Sequence, residues 1–149
     1  MMSPSPSPIR ILVADDNEDH RFFITRALRD STDRELEIVT VRDGAEAIEY
    51  LRQQGAYAGE TLPHLVILDL KMPRMDGHEV LSEVKADKRL RSIPVAVLSS
   101  SDRDEDVRRA YELGGNSYVV KQAADGRLSN GLSTLRKFWT ETAVLPNPA

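Results

Sequence analysis

The chain has 149 residues, of which 40% are hydrophobic, so it can bury one sizeable core but is too short for two ordinary domains. It contains no cysteine, which excludes disulfides, thiolate metal sites and a cysteine nucleophile and fits a cytoplasmic protein. The net charge of −4 argues mildly against nucleic acid as a direct partner, and no apolar run approaches the ~20 residues that span a membrane.

The order of apolar and polar segments predicts a single α/β domain. Residues 1–8 are polar and proline-spaced, as in a flexible leader, and 140–149 are expected to form a C-terminal tail. Between them, in 9–139, short aliphatic runs alternate with segments of helical periodicity. This alternation predicts a doubly wound fold, in which helices cover both faces of a five-stranded parallel sheet. The predicted strands are 11–14, 37–41, 65–68, 95–98 and 118–120.

Each predicted helix carries one apolar face. The faces of the first four helices are Phe23, Ile24, Ala27 and Leu28; Ala47, Ile48 and Leu51; Val80, Leu81 and Val84; and Val107, Ala110 and Tyr111. The fifth face has residues at i, i+4, i+7 and i+11, namely Leu128, Leu132, Leu135 and Trp139, with Phe138 beside them. Because neighbouring helical side chains cannot point the same way, Phe23 is assigned to the core and Phe22 to the surface.

Acidic side chains directly follow two of the predicted strands. Asp15 and Asp16 come after the first strand, and Asp69 comes after the third. Ligands of open parallel sheets bind beyond the carboxyl ends of the strands, so we expect these carboxylates to share one crevice. Taken alone, Asp15 and Asp16 would be better explained as the cap and first-turn acid of the next helix. Together with Asp69 they would repel one another, and Mg²⁺ would relieve that repulsion.

The fourth and fifth strands add two further polar side chains at the same edge. Ser99 ends the fourth strand and Lys121 ends the fifth. A hydroxyl and an ammonium group can bind the oxygens of a phosphoryl group, whose transfer depends on positioning and on charge stabilisation. The nucleophile would then be a carboxylate. Either residue by itself would be an ordinary loop residue or a solvated charge, and their position at successive strand ends is the specific signal.

In these residues the sequence resembles the receiver domains of two-component response regulators, which have a flavodoxin-like fold. The resemblance covers roughly 10–139 and rests on the acid pair, the run 68–77 (LDLKMPRMDG), the strand-end serine and the strand-end lysine. It implies that Asp69 is the phosphoacceptor and that Asp15, Asp16, Asp69 and the Lys71 backbone carbonyl bind Mg²⁺.

The same resemblance implies a conformational switch. Ser99 stands at the position of the switch hydroxyl, Tyr118 at that of the switch aromatic, and Lys121 at that of the lysine that binds the phosphoryl group. Two residues depart from the common pattern: Gln122 replaces a proline, and Ser99 replaces a threonine.

Within the family, the chain is most similar to the single-domain regulators of bacterial and cyanobacterial phytochromes. The similarity rests on 51–57 (LRQQGAY), 110–113 (AYEL) and 138–146, which contains FWTET and LP. It implies a light-regulated histidine kinase as the phosphodonor. It also implies a homodimer formed through the last two helices and the last strand, for which the candidate residues are Tyr111, Leu135, Phe138 and Trp139.

Phe22 is a candidate contact with the kinase, since exposed aromatic residues are enriched at interfaces. The basic cluster at 85–91 alternates with an acid and is typical of a solvated helix end. His20, His64 and His78 have no metal-ligand spacing and none follows a strand, so no catalytic role is assigned to them.

The expected function is that of a phosphoacceptor switch with weak autophosphatase activity, not of a dedicated enzyme. One alternative is an intermediate carrier in a multistep phosphorelay. A second is a phosphatase of the haloacid dehalogenase type, but that chemistry requires an acid two residues after the nucleophile, where Lys71 stands. A transcription factor would need a DNA-binding domain after the fifth helix, for which 140–149 are too short.

Overall fold

The computed structural model describes residues 8–30, 34–121 and 127–148. Five strands lie within these residues: β1 (Ile9–Ala14), β2 (Leu36–Val41), β3 (Leu65–Leu68), β4 (Val95–Ser99) and β5 (Ser117–Val120). They alternate with α1 (Glu18–Arg29), α2 (Gly44–Leu51), α3 (Gly77–Ala86), α4 (Asp104–Glu112) and α5 (Arg127–Arg136), and α5 continues as a π-helical turn at Lys137–Thr142. The predicted order of strands and helices is confirmed.

All neighbouring strands are parallel, and their order in the sheet is β2-β1-β3-β4-β5. The chain leaves β1 in one direction to form β2 and crosses to the other side of β1 to form β3. The direction of winding therefore switches between β1 and β3, where open α/β sheets bind their ligands. In the register, Ala14 pairs with Leu68, so the residues that follow both strands emerge side by side at this point.

The sheet is covered on both faces, as predicted. Alternate strand residues point into two separate cores. One core packs against α2, α3 and α4 and includes Leu12, Val66, Ile48, Leu81 and Ala110. The other packs against α1 and α5 and includes Ile11, Ile67, Ile24, Leu28, Leu132 and Leu135. Of the predicted core residues of the fifth helix, Leu128 lies outside the described side chains.

Two aromatic residues do not lie where the helical periodicity predicts. Phe23 is 53% exposed, and the buried stripe of α1 consists of Ile24 and Leu28. Phe23 lies about 100° around the helix from Ile24, which takes it off this narrow stripe. Tyr111 is likewise 50% exposed, because α4 buries only Ala110 against the sheet. The assignment of Phe23 to the core was wrong, whereas the exposure of Phe22 is confirmed.

The C-terminal segment packs on the core beyond residue 139. Thr140 is buried in the π-helical turn, and Leu145 contacts the core between α1, α5 and the sheet. Trp139 packs against the same core, while Phe138 remains 49% exposed and meets the Trp139 ring edge to face. Of the leader, residues 1–7 lie outside the described part of the chain. Among the described helices, none combines the length and the apolar character that a membrane span requires.

Candidate functional site

The three predicted acids meet at the carboxyl ends of β1 and β3. Oxygen atoms of Asp15, Asp16 and Asp69 all lie within 4.8 Å of one another. Asp15 and Asp69 are buried and Asp16 is exposed, so the cluster opens to solvent on one side. Hard oxygen ligands in this number, with an open side for water and phosphate oxygens, suit a divalent cation. The strand pairing between Ala14 and Leu68 produces this arrangement.

Backbone and side-chain hydrogen bonds fix the orientation of the acid pair. The N-cap of α1 is Asn17, whose side chain accepts a hydrogen bond from the His20 backbone N–H at 3.0 Å. The Asn17 N–H in turn donates to Asp15 Oδ1 at 2.9 Å, and the Arg21 guanidinium donates to the Asp15 carbonyl at 2.8 Å. Because Asn17 caps the helix, Asp15 does not serve as the cap and faces Asp69 instead.

The Lys121 ammonium lies between the two buried acids. Its Nζ is 2.5 Å from Asp15 Oδ2 and 3.2 Å from Asp69 Oδ2, and the three side chains are almost inaccessible to solvent. A third acceptor, His20 Nδ1, lies 3.0 Å from the same nitrogen. The end of β5 therefore places a buried cation against the acids that follow β1 and β3. This contact joins residues 106 positions apart in the sequence.

Burial dominates the electrostatics of Asp69. Removal from water raises the pKa of its carboxyl, and the neighbouring Asp15 charge raises it further. The Lys121 ammonium and the hydrogen bond that Asp69 Oδ1 accepts from the Leu70 N–H at 2.8 Å lower the pKa but do not offset the burial. A single ammonium thus leaves negative charge uncompensated in the crevice. The donor set fits a divalent cation that would supply the missing positive charge.

Gly77, the first residue of α3, allows that helix to approach the backbone of Asp69. A Cβ atom at Gly77 would lie 2.3 Å from the Asp69 carbonyl oxygen and 2.7 Å from Leu70 Cα. The Gly77 N–H also donates to the Leu70 carbonyl at 2.8 Å, so this close approach is hydrogen-bonded. Both contact atoms belong to the backbone and cannot turn aside as a flexible side chain could. The absence of a side chain at Gly77 therefore allows the backbone at Asp69 and Leu70 to keep its position.

Alanine at Gly77 is expected to destabilise the protein by about 1–3 kcal/mol, because the backbone at Asp69 must shift to admit the methyl group. The measurement is urea unfolding, with Mg²⁺ affinity as a second readout of the displaced carboxylate. Gly59→Ala is the control, since a Cβ at Gly59 meets nothing within 4 Å. Equal stability of the two variants would show that the loop at Asp69 moves freely.

Ser99 and Tyr118 are both linked to the loop that follows β4. Ser99 is buried, and its Oγ accepts a hydrogen bond from the Ser101 N–H at 3.2 Å. The Tyr118 hydroxyl donates to the Ser101 carbonyl at 2.8 Å, and the Ser101 hydroxyl donates to Asp106 on α4 at 2.5 Å. This last bond lowers the pKa of the Asp106 carboxyl. One short loop therefore connects the predicted switch residues with the beginning of α4.

Lys71 follows the acceptor by two residues and lines an open groove at the mouth of the site. The groove also includes Asp16, Asp76 and Arg109 and has a volume of about 650 Å³. The Lys71 side chain is exposed. The metal-binding role of the Lys71 backbone carbonyl remains a prediction. Gln122, one of the two departures from the family pattern, lies outside the described residues.

Comparison with known proteins identifies the family of this chain. The family model of the response regulator receiver domain matches residues 11–133. The chain belongs to the response regulator receiver family. The receiver is 41% identical over 144 residues to the probable methanogenesis regulatory protein FilR2 of Methanothrix harundinacea. The alignment covers 95% of this chain and 90% of FilR2.

The receiver is also similar to the response regulator Rcp1 and to a phytochrome response regulator, RcpA. It is 38% identical over 142 residues to the response regulator Rcp1 of Synechocystis, with 95% of each chain covered. The Mn²⁺-bound crystal structure of Rcp1 matches with a TM-score of 0.90 over 94% of this chain and 100% of Rcp1. The phosphorylated cyanobacterial phytochrome response regulator RcpA matches at 42% identity and a TM-score of 0.89, over 95% of this chain and 100% of RcpA.

One residue of the receiver site, His20, was not expected from the sequence. It was set aside because it follows no strand, yet its ring reaches Lys121 from the first turn of α1. The signal that could have found it is its position three residues after the cap Asn17. Side chains of a helix lean toward its N-terminus, so a first-turn residue after β1 can reach the crevice.

Proposed function

We propose that this receiver is a phosphoacceptor switch in which Asp69 takes a phosphoryl group from the phosphohistidine of a sensor kinase. The observation that supports this most is the pairing of one buried ammonium, Lys121, with both Asp15 and Asp69 in a crevice open to solvent through Asp16. The family membership supports the same chemistry. A purely structural ion pair would not require an exposed third carboxylate beside it.

In the proposed reaction, an oxygen of the Asp69 carboxylate attacks phosphorus. An O–P bond forms, the P–N bond to the kinase histidine breaks, and the imidazole leaves with the bonding electron pair. Lys121 is placed to follow the charge on a transferred phosphoryl oxygen, and the Leu70 N–H holds Asp69 Oδ1 so that the carboxylate keeps its orientation. Hydrolysis of the resulting acyl phosphate returns the receiver to its resting state, as a weak autophosphatase activity.

The cation that we propose is Mg²⁺, held by Asp15, Asp16, Asp69 and the Lys71 backbone carbonyl. A cation held there would neutralise the clustered carboxylates and would supply electrostatic stabilisation of the phosphoryl charge. The oxygen-only donor set supports a hard divalent cation, and Mn²⁺ in the related Rcp1 is consistent with that class.

The signal would leave the site through the loop after β4. Once Asp69 is phosphorylated, the Ser99 hydroxyl is free to donate to a phosphoryl oxygen, because its present contact is one that Oγ accepts. A shift of Ser99 changes the position of Ser101, to which the Tyr118 hydroxyl is bonded. We therefore infer that Ser99 and Tyr118 move together and alter the surface formed by α4, β5 and α5.

The direct test uses the purified protein with a small acyl phosphate donor and Mg²⁺, followed by intact-mass measurement. We expect a mass gain of one phosphoryl group, which chelation of the metal with EDTA prevents. Mn²⁺ is expected to support the reaction as well, since it takes the same ligands. Absence of any adduct at saturating donor and metal would refute the proposed function.

The physiological donor that we propose is a phytochrome-type histidine kinase, and a cytoplasmic location follows because such kinases draw on ATP. The similarity to the phytochrome response regulator RcpA supports this partner. FilR2, at comparable identity, is a probable methanogenesis regulatory protein, so the identity of the partner is a separate question from the chemistry. A phosphorylated phytochrome kinase that transfers no phosphate to Asp69 would exclude this donor while leaving the chemistry intact.

The kinase contact that we propose includes Phe22. Its side chain is 62% exposed, lies edge to face against Phe23 and stands on the helix that begins at the site. Phe22→Ala is expected to slow transfer from the kinase by about fivefold, the effect of losing a modest interface anchor. The measurement is the rate of phosphotransfer, with the rate from a small acyl phosphate as the control. Equal slowing with both donors would place the defect in the site and not in docking.

We further propose a homodimer formed through α4, β5 and α5. An apolar groove there is lined by Val119, Leu135, Phe138 and Trp139. The exposed ring of Phe138 stands on the π-helical turn after α5, and that of Tyr111 stands on α4. Exposed apolar surface of this kind often marks association. Leu135 itself is buried in the core of one protomer, so we assign it to support beneath the groove.

Phe138→Ser is expected to raise the dimer dissociation constant by about tenfold or more, because it removes an aromatic anchor from the interface. Sedimentation equilibrium of wild type and variant measures this. Phe22→Ser, which changes an exposed ring on α1, is the matched control and should dimerise normally. A wild-type protein that is monomeric at every accessible concentration would remove the dimer from the proposal.

A further inference from the structure

The Lys121 ammonium has a third partner that the proposed reaction does not use. Besides Asp15 Oδ2 and Asp69 Oδ2, His20 Nδ1 lies 3.0 Å from Nζ. An ammonium group has three N–H donors and no lone pair. Each donor of Lys121 therefore has one acceptor among the described residues, and one of the three acceptors is a ring nitrogen.

The contact between Lys121 and His20 has a defined direction. An ammonium group can only donate, so the acceptor in this contact is the Nδ1 atom of the ring. The backbone of His20 is also held in place by a hydrogen bond. Its N–H donates to the Asn17 side chain, and the Asn17 N–H donates to Asp15 Oδ1. His20 and Asp15 are thus tied together through the cap of α1 and contact the same ammonium.

We propose that His20 is a positioning residue that orients Lys121 for phosphoryl transfer to Asp69. This inference rests on the proposed function. Two carboxylates alone would leave the third N–H of a long, flexible side chain without a fixed direction. The His20 ring supplies that direction without adding a fourth negative charge to a crevice that already contains Asp15, Asp16 and Asp69.

Phosphorylation of Asp69 would affect the three hydrogen bonds of Lys121 differently. Nζ contacts Asp69 Oδ2 at 3.2 Å and His20 Nδ1 at 3.0 Å, and it also contacts Asp15 Oδ2. The bond to Asp69 is the one that a phosphoryl oxygen on Asp69 would replace. The bonds to Asp15 and His20 can persist through that exchange and keep the ammonium aimed at the arriving charge, as preorganised stabilisation requires.

The test compares three substitutions of His20. His20→Leu retains bulk but has no acceptor. His20→Asn retains an acceptor at the same position in the side chain, since Oδ1 of asparagine is bonded to Cγ as Nδ1 of histidine is. His20→Gln is polar and compatible with a helix but carries its acceptor one bond farther out. The rates of phosphorylation by a small acyl phosphate are measured by intact mass over a series of donor concentrations, and urea unfolding checks that each variant is folded.

We expect the maximal rate to fall by about tenfold in His20→Leu and His20→Gln, with little change in the donor concentration at half-maximal rate, and to remain within about threefold of wild type in His20→Asn. His64→Asn, far from the crevice at the start of β3, should leave the rate unchanged. A His20→Gln or His20→Leu protein that is as fast as wild type, or a His20→Asn protein that is as slow as either, would overturn the assignment. If wild type itself forms no adduct, the proposed function fails. The assignment of His20 alone fails when wild type is phosphorylated but the rates of the variants do not follow the expected order.

Discussion

Asparagine in place of Asp69 is expected to abolish the phosphoryl adduct that wild type forms with an acyl phosphate and Mg²⁺. An amide oxygen is a far weaker nucleophile than a carboxylate, while the side chain keeps its shape and can still accept the hydrogen bond from the Leu70 N–H. The variant should therefore fold normally but form no adduct. Metal affinity should also fall, because one of the three clustered carboxylates is lost.

The control for Asp69→Asn is Asp76→Asn on the same loop. Asp76 caps α3 by accepting from the Glu79 N–H at 2.9 Å, and asparagine caps a helix equally well. This variant should form the adduct at the wild-type rate. An adduct that persists in Asp69→Asn would show that a neighbouring acid, Asp15 or Asp16, accepts the phosphoryl group, and it would contradict the assignment of the acceptor.

Methionine in place of Lys121 is expected to lower the free energy of unfolding by about 3 kcal/mol in buffer with EDTA, the cost of leaving a buried charge without its partner. Asp15 and Lys121 expose only 1% and 2% of their side chains, so solvent provides little screening. Mg²⁺ should restore part of the loss, because a bound divalent cation stabilises the folded state and replaces the missing positive charge.

Urea unfolding with EDTA and with Mg²⁺ measures both effects of Lys121→Met. Lys88→Met, which removes an exposed lysine from the loop after α3, is the matched control and should change the free energy of unfolding little. If Lys121→Met were as stable as wild type without metal, the two acids would have to be accommodated without a cation. The proposed balance of charge in the crevice would then be incorrect.

The fold was largely predictable because aliphatic runs marked the strands and helical periodicity marked the helices along the whole 9–139 segment. Aliphatic runs at 65–68 and 95–98 are buried on both faces, as strands of a covered parallel sheet must be, and they read as continuous apolar segments. The acids and the lysine at the strand ends could be found in the same way. A residue that directly follows a parallel strand must emerge at the ligand-binding edge, independently of the conformation of the loop that comes after it.

The helix faces were less predictable, as Phe22 and Phe23 show. Both rings are exposed, although periodicity had assigned Phe23 to the core. The period of a helix fixes which residues share a face, but the rotation of that face toward the sheet is decided by packing. In α1, which packs against the sheet and α5, the buried stripe is reduced to Ile24 and Leu28. The number of α1 residues that this packing buries cannot be predicted from the sequence pattern alone.

The sequence by itself determined the parallel α/β fold and the acids and cation at its carboxyl edge, since burial of alternating elements and the direction of the strands follow from local pattern. Only the tertiary structure decided how those groups meet. The sheet order brings Lys121 between Asp15 and Asp69, and the start of α1 brings His20 to the same nitrogen. These are hydrogen bonds between side chains distant in sequence, and their existence depends on strand order and helix placement. No local pattern records either.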